Sequence, residues 1–446
     1  MKVIRIGAGA GYSGDRIPPA VELANHGNLD YLVFECLAER TVALAQLEKS
    51  KNPDAGFDPL LRDRMNAVLL TCITNGIKII TNMGAANPIA AAKEVVSVAR
   101  ELGISKLTVA VVHGDDVLSE LFSHDLILME TGVPVISIKD SIISANAYLG
   151  AEPIVQALQM NADVVITGRV SDPALFLAPL IYEFGWPMSD WKMMGKGILV
   201  GHLLECAGQI TGGYFADPGY RNVPNLARLG FPIAEVSEDG SAIITKVEGS
   251  GGCVTVATCI SQLLYEIGDP SAYLQPDVVA DFSKVQLSEV GSNRIQIEGA
   301  TGHSRPDMIK VTLGVKDGFI GEGQISYAGL GAKARGQLAI DVLQERLENQ
   351  FGIDLLDVRY DLIGLNSIHG RLMSEDLDAY EVRARVAAKV KTKKEAELVA
   401  NEVEAMYLNG PAGGGGAVKS VREVVAALSV LVPRSLVNTS VTLVEL

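Results

Sequence analysis

Positive charge is the scarcer sign in this 446-residue chain: 38 lysines and arginines face 53 aspartates and glutamates, a formal charge of −15. That balance argues against nucleic acid or an anionic membrane as the main partner, because both need a basic surface. Cysteine is also sparse. The five thiols (36, 72, 206, 253 and 259) are odd in number and lack a CxxC pair, which argues against a disulfide scaffold or structural zinc. No stretch approaches the roughly 18 continuous apolar residues of a membrane span. The opening Met1-Lys2-Val3-Ile4-Arg5-Ile6 reads as a first strand without a leader, so a cytoplasmic location is expected.

What is present is an ordinary globular composition, 48% hydrophobic and 20% charged, in a chain long enough for two or three domains. Short apolar runs at Val3–Ile6, Tyr31–Phe34, Ile77–Ile80, Leu107–Val112 and Val164–Thr167 are strand candidates. Amphipathic segments near 18–26, 38–49, 58–75, 88–102, 115–122 and 151–160 separate them. This alternation predicts βαβ units around a mostly parallel, buried sheet of Rossmann-like α/β character. Beyond about 235 the texture becomes α+β with antiparallel strands: Glu-Asp-Gly within Val236–Val247 and Asp317-Gly318 within Ile309–Ile325 mark hairpins. Helices are expected near 254–267, 331–349, 394–406 and 418–428. The expected domains are 1–235 and 236–446.

In a parallel sheet, ligands bind beyond the carboxyl ends of the strands. Five loops there are rich in glycine and polar groups, and they supply the candidate residues. The first carries Gly9, Gly11, Ser13, Gly14, Asp15 and Arg16; the second begins at Glu35; the third holds Asn82 and Asn87; the fourth reads His113-Gly114-Asp115-Asp116; the last contains Arg169 and Asp172. A further glycine segment, Gly251-Gly252, precedes a predicted helix whose free amides could hold an anion. His202 and Glu205, three apart, share a helical face but are too few for a metal site.

Gly9-x-Gly11-x-x-Gly14 with Glu35 downstream fits a dinucleotide fingerprint. Three features weigh against a nicotinamide dehydrogenase: the motif starts late relative to its strand, Asp15 would repel a pyrophosphate, and Pro18-Pro19 remove two amide donors. There is no GxSxG elbow, Walker loop or HExxH motif.

The strings Arg5-Ile6-Gly7-Ala8-Gly9-Ala10-Gly11-Tyr12-Ser13-Gly14-Asp15-Arg16, Thr81-Asn82-Met83-Gly84-Ala85-Ala86-Asn87-Pro88, Ala162-Asp163-Val164-Val165-Ile166-Thr167-Gly168-Arg169-Val170-Ser171-Asp172 and Val432-Pro433-Arg434-Ser435-Leu436-Val437 resemble the acyclic terpene utilisation (AtuA) family over nearly the whole chain. The resemblance implies a catabolic role on acyclic terpene, carboxylate or acyl-CoA substrates, and transfers no catalytic set. Some members carry a C-terminal ferredoxin-like domain, others a separate small protein of that fold. The latter is the expected partner for a chain ending at Leu446.

The reading that joins these features is a lyase or hydratase acting on a carboxylic acid or its CoA thioester, a small anionic metabolite. Asp15, Glu35, His113 and Asp116 are its expected acid–base groups. Gly9, Gly11, Ser13, Gly14, Arg16, Asn82, Asn87, Arg169, Gly251 and Gly252 are its expected substrate contacts. Asp115 and Asp172 are expected to ligate a divalent metal, magnesium or manganese. The alternatives are a non-catalytic subunit working with the ferredoxin-fold partner, and a NAD(P)-dependent dehydrogenase. A homo-oligomer is the base-rate expectation.

Overall fold

The computed structural model describes residues 2–351, 355–370 and 377–446. The chain divides into two compact units, Met1–Gly314 with Ala427–Leu446, and Val315–Ala426. In the first, chain order begins β1 (Val3–Ala10), α1 (Pro18–His26), β2 (Tyr31–Phe34), α2 (Glu39–Lys51), α3 (Leu61–Asn75), β3 (Lys78–Thr81), α4 (Pro88–Glu101) and β4 (Thr108–His113). It continues through α5 (Leu118–Leu121), β5 (Ile142–Ala147), α6 (Glu152–Gln159), β6 (Val164–Ile166), α7 (Ala174–Phe184) and α8 (Trp191–Leu204). Pro18 and Pro88 open their helices, where a missing amide costs nothing, and the Asn87 side chain caps α4. Left-handed Gly76 and Gly185 end α3 and α7.

Strands β1, β2, β3, β6 and β4 lie side by side in that order, all parallel. The chain steps one way from β1 to β4 and then returns to insert β6. Right-handed crossovers therefore place the helices of the outward steps on one face and that of the return on the other. The packing agrees: α3 lies against α1 and α4, and α7 lies against α6 and α8. Every parallel strand ends on the same rim, as the alternating sequence predicts.

The change of texture near 235 falls inside this unit, where the sheet continues antiparallel. The hairpins β7 (Pro232–Ser237) with β8 (Ala242–Lys246), and β11 (Gln286–Gly291) with β12 (Arg294–Glu298), extend it beyond β1. Between them come α9 (Val256–Leu263) and the short strands β9 (Tyr273–Leu274) and β10 (Val279–Asp281), which form a small sheet with β13 (Thr301–His303). The last strand, β18 (Ser440–Glu445), closes the other edge against β4.

The second unit contains most of β14 (Met308–Ala328), then α10 (Ala332–Glu345), β15 (Asp357–Ile363), β16 (Glu381–Val390), α11 (Lys393–Glu404), α12 (Met406–Asn409) and the start of β17 (Gly415–Pro433). Its strands run in the order β15, β16, β14, β17. With α10 and α11 packed on β16, this is the strand–helix–strand–strand–helix–strand plan of ferredoxin-like folds. A unit of that plan thus lies within this chain. Its core joins Ile325, Tyr327, Leu343, Val386, Val399 and Val403.

Three expectations are corrected. The glycines after Ile6 do not begin a loop, because β1 runs on to Ala10. Asp317-Gly318 is no hairpin: Gly318, at φ 82°, sits inside β14, where a Cβ would stand 2.4 Å from the Val390 carbonyl oxygen. The glycine thus permits close backbone approach and not reversal. The segment 418–428 is strand and not helix, as its runs of β-branched valine favour. Among the described residues no helix is long and apolar enough to cross a membrane.

Gly318→Ala is expected to destabilise the fold by about 1–3 kcal/mol through positive φ and the carbonyl contact, seen as a lower urea midpoint. Gly415→Ala, where nothing stands near the added Cβ, is the control and should leave the midpoint in place.

Candidate active site at the carboxyl rim of the sheet

The rim is organised by two arginines that water does not reach. Arg64 lies on the buried face of α3 with Leu61, Met65 and Val68, and is itself fully buried. Its Nη1 donates to Asp58 at 3.1 Å, and its Nη2 donates to the carbonyls of Ser13, Asp15 and Tyr12 at 2.8, 3.3 and 3.4 Å. A buried charge is tolerated only when paired and hydrogen-bonded, so Arg64 dictates where the loop after β1 runs. Asp15 completes that loop by accepting from the amides of Gly11 at 2.9 Å and Arg16 at 2.8 Å. Its carboxylate therefore occupies the amides that a dinucleotide pyrophosphate would use. Burial pushes Asp15 above the usual carboxylate range, against the pull of those amides and of Arg64.

Arg169, after β6, is 1% exposed. Its Nε donates to Val170 O at 2.7 Å, and its other nitrogens donate to Leu37 O, Val170 O and the Asp172 carboxylate. The guanidinium stacks 4.5 Å from the Tyr148 ring, and Tyr148 donates its hydroxyl to Glu39 at 2.5 Å. Arg169 thereby ties the end of β6 to the loop after β2. Most of its donors are engaged by the protein, so it positions the rim.

Glu35 sits at the end of β2 with 8% exposure. Its Oε1 accepts from Asn82 Nδ2 and from the Leu37 amide, both at 2.9 Å. Burial, with the neighbouring Asp172 charge adding to it, pushes the Glu35 carboxyl up to about 8, despite Arg169 and these donors. Asp172 is raised too, again chiefly by burial, with Arg169 opposing. Near neutral pH Glu35 thus favours its protonated form, with the Arg169–Asp172 ion pair nearby. Asn82 also lines a cavity of about 600 Å³ with Ser13, Cys36, Leu37, Leu44 and Phe57. The cavity is largely apolar.

The remaining candidates are spread over several places. Ser13, Gly11, Gly14 and Arg16 lie on the same loop, whereas Gly9 is within β1. Asn87 is structural: besides capping α4, its Nδ2 donates to Pro53 O and Ala55 O, both at 2.8 Å. His113 and Asp116 lie at the end of β4, three strands and roughly 14 Å from β2 at about 4.8 Å per strand. His113 Nε2 is 2.8 Å from Thr442 Oγ1, and Asp116 accepts from the Leu118 amide at 3.2 Å.

Asp115 accepts from Asn146 Nδ2 and the Arg169 amide, each at 2.9 Å, and burial raises it to about 6. With Asp172 held by Arg169, both expected metal ligands are engaged in protein contacts. Among the described residues no three His, Cys, Asp or Glu side chains are grouped to hold a metal ion. The amides of Gly251 and Gly252 donate to Arg228 O and Pro224 O, at 2.8 and 2.7 Å. They close a turn beside an open cavity of about 760 Å³ and are not directed at a ligand.

A family model described as acyclic terpene utilisation family protein AtuA matches residues 4–443. The chain belongs to the acyclic terpene utilisation family. Membership supports a catabolic role. A search of curated proteins finds no match. A homoserine dehydrogenase from Thiobacillus denitrificans aligns over 90% of this chain and 82% of its own at 11% identity, with a TM-score of 0.15 that carries no argument.

Within this family member, reading from sequence overlooked Arg64, Asp58 and Tyr148. Arg64 left a signal, a lone charge on the apolar stripe of α3. Tyr148 left none, because its partners Glu39 and Arg169 are remote in sequence.

Arg64→Met should cost about 3–5 kcal/mol by leaving Asp58 buried and unpaired, lowering the thermal midpoint and exposing residues 11–16 to protease. Glu35 yields a pH prediction with a definite sign. A carboxyl raised in the native state binds more protons there than in the unfolded chain, so stability falls as pH rises from the ordinary glutamate range toward about 8. Urea titrations should show that loss in the parent, and Glu35→Gln should reduce it, leaving the share of the other raised carboxyls, Asp115 among them.

Proposed function

We propose that this chain is a lyase or hydratase acting on an acyclic carboxylic acid or its CoA thioester. The observation that carries this reading is the Glu35 carboxyl, buried, raised to about 8 and hydrogen-bonded to an asparagine that also lines an apolar cavity. An acid–base group works best with a proton affinity near the working pH, and burial supplies that adjustment here. In this reading the apolar chain of the substrate fills the cavity and its carbonyl end lies toward Asn82. Glu35 then exchanges a proton with the carbon next to that carbonyl. The charge that develops on the carbonyl oxygen needs donors fixed in advance; Ser13 and the exposed Arg16 on the β1 loop are the candidates for that role. Asp172 keeps a second carboxyl beside Glu35, so the pair can hold or release one proton without large rearrangement.

Acyclic branched acids and their CoA thioesters, incubated with the protein in deuterated water, should incorporate deuterium next to the carbonyl and gain or lose water. Glu35→Gln should slow both about 10²–10⁴-fold. Undiminished turnover in Glu35→Gln would remove this assignment.

A further inference from the structure

The end of α8 reaches the same rim from the side of β1. A Cβ on Gly11 would stand 2.5 Å from the Cys206 carbonyl carbon, and the carbonyl of Ala10 accepts from the Glu35 amide at 3.3 Å. The turn at Glu205-Cys206 and the end of β2 therefore flank the same stretch of β1. On that turn sits a His–Glu pair that the reading above does not use. His202 is fully buried and Glu205 is 6% exposed, with Nδ1 to Oε1 at 3.1 Å. The other imidazole nitrogen, Nε2, faces the Leu263 carbonyl at 3.2 Å. A carbonyl can only accept, so Nε2 carries a hydrogen. One further proton must then lie between Nδ1 and the carboxyl.

The surroundings say which side holds it. Glu205 Oε2 is buried and has no hydrogen-bond partner among the described residues, and the same is true of Gln262 Oε1, whose amide nitrogen donates to His202 O at 2.9 Å. A carboxylate oxygen left bare in a buried site is costly, whereas a neutral acid donating to Nδ1 leaves only a carbonyl oxygen there. The ionisable groups acting on Glu205 are His202, Asp172 and Glu266; Cys206 and Tyr273 feel its charge in turn. Apart from His202 none of them is cationic. Burial pushes Glu205 up to about 7, against the pull of His202. Glu205 in turn raises His202 against the imidazole's own burial. The proton is therefore shared within the pair, and the bare Oε2 tips it toward the carboxyl.

We propose that the His202–Glu205 pair is the proton reservoir of the Glu35–Asp172 site. This rests on the hydratase or lyase reading. In the hydration direction Glu35 delivers its proton to carbon, and water adds its oxygen to the neighbouring carbon of the double bond. As Glu35 loses its proton to carbon, Glu205 passes its own proton to Glu35. The proton that the adding water releases then goes to the Glu205 carboxylate, so that one water is consumed and both carboxyls are restored. Dehydration is the reverse. Glu205 acts through Glu35 on the carbon, and His202 positions it.

The test uses the full chain labelled with ¹³C at glutamate carboxyls and ¹⁵N in histidine, titrated from roughly pH 5 to 9. Glu205 is expected to titrate near neutrality with its proton shared with His202 Nδ1. Glu205→Gln, which removes the negative charge that forms first, should lower the Glu35 midpoint; Glu205→Asp should restore it. A Glu205 ionised throughout beside a permanent imidazolium, or a Glu35 midpoint that Glu205→Gln leaves in place, would overturn the proposal. On a substrate that wild type turns over, Glu205→Gln should lose net hydration about 100-fold more than carbon-proton exchange, and equal losses would also overturn it. If wild type is inactive across the acid and thioester panel, the functional reading fails, while the titration still decides whether the pair holds the proton.

Discussion

A full positive charge that water cannot reach is the constraint around which this rim is built. The Arg169 guanidinium has its donors matched by the Leu37 and Val170 carbonyls and the Asp172 carboxylate, with the Tyr148 ring over its face. Each match is obligatory, because an unpaired buried donor or charge costs more than the contact returns. The loops after β2 and β6 are therefore fixed relative to one another. Of the two carboxyls that ride on those loops, Asp172 lies near enough to Glu35 for its charge to raise the Glu35 proton affinity. Burial then makes Glu35 hold its proton, against the pull of that same arginine.

The second buried arginine has a parallel role with a different outcome. Arg64 takes three carbonyls of the β1 loop and so determines its path. Asp15 then seals the loop by occupying its amides. A glycine pattern that in another setting would cradle a pyrophosphate is here closed by the protein's own carboxylate. What stays open is the side of the loop that faces the apolar cavity, which explains why a fold with nucleotide-binding texture offers a pocket of different chemistry.

Much of this was legible in the sequence, and where legibility ended follows a pattern. The parallel strands were readable because a strand buried on both faces must be a short apolar run, and the helices between them because the segments separating those runs are amphipathic. Glu35 and Asn82 were identifiable as rim residues because each follows a strand directly, and Asp172 because it lies on the loop after β6. Asn87 was identified by the same rule, yet it serves as a cap, because position after a strand does not distinguish a ligand contact from a helix start. Gly318 misled for a related reason: glycine reports a backbone requirement and not which requirement it is.

By itself, then, the sequence determined the alternation of elements, the rim on which polar loops gather and the family to which the chain belongs. These depend on local periodicity, on residues adjacent in the chain and on strings of residues characteristic of the family. Only the tertiary structure decided that Arg169 ties the loops after β2 and β6 together, that Asp115 and Asp172 are held by protein donors, and that His202 and Glu205 reach the end of β1. It also placed a ferredoxin-like plan within residues 315–426. Those outcomes depend on the burial and pairing of groups tens to hundreds of residues apart, which no local pattern encodes.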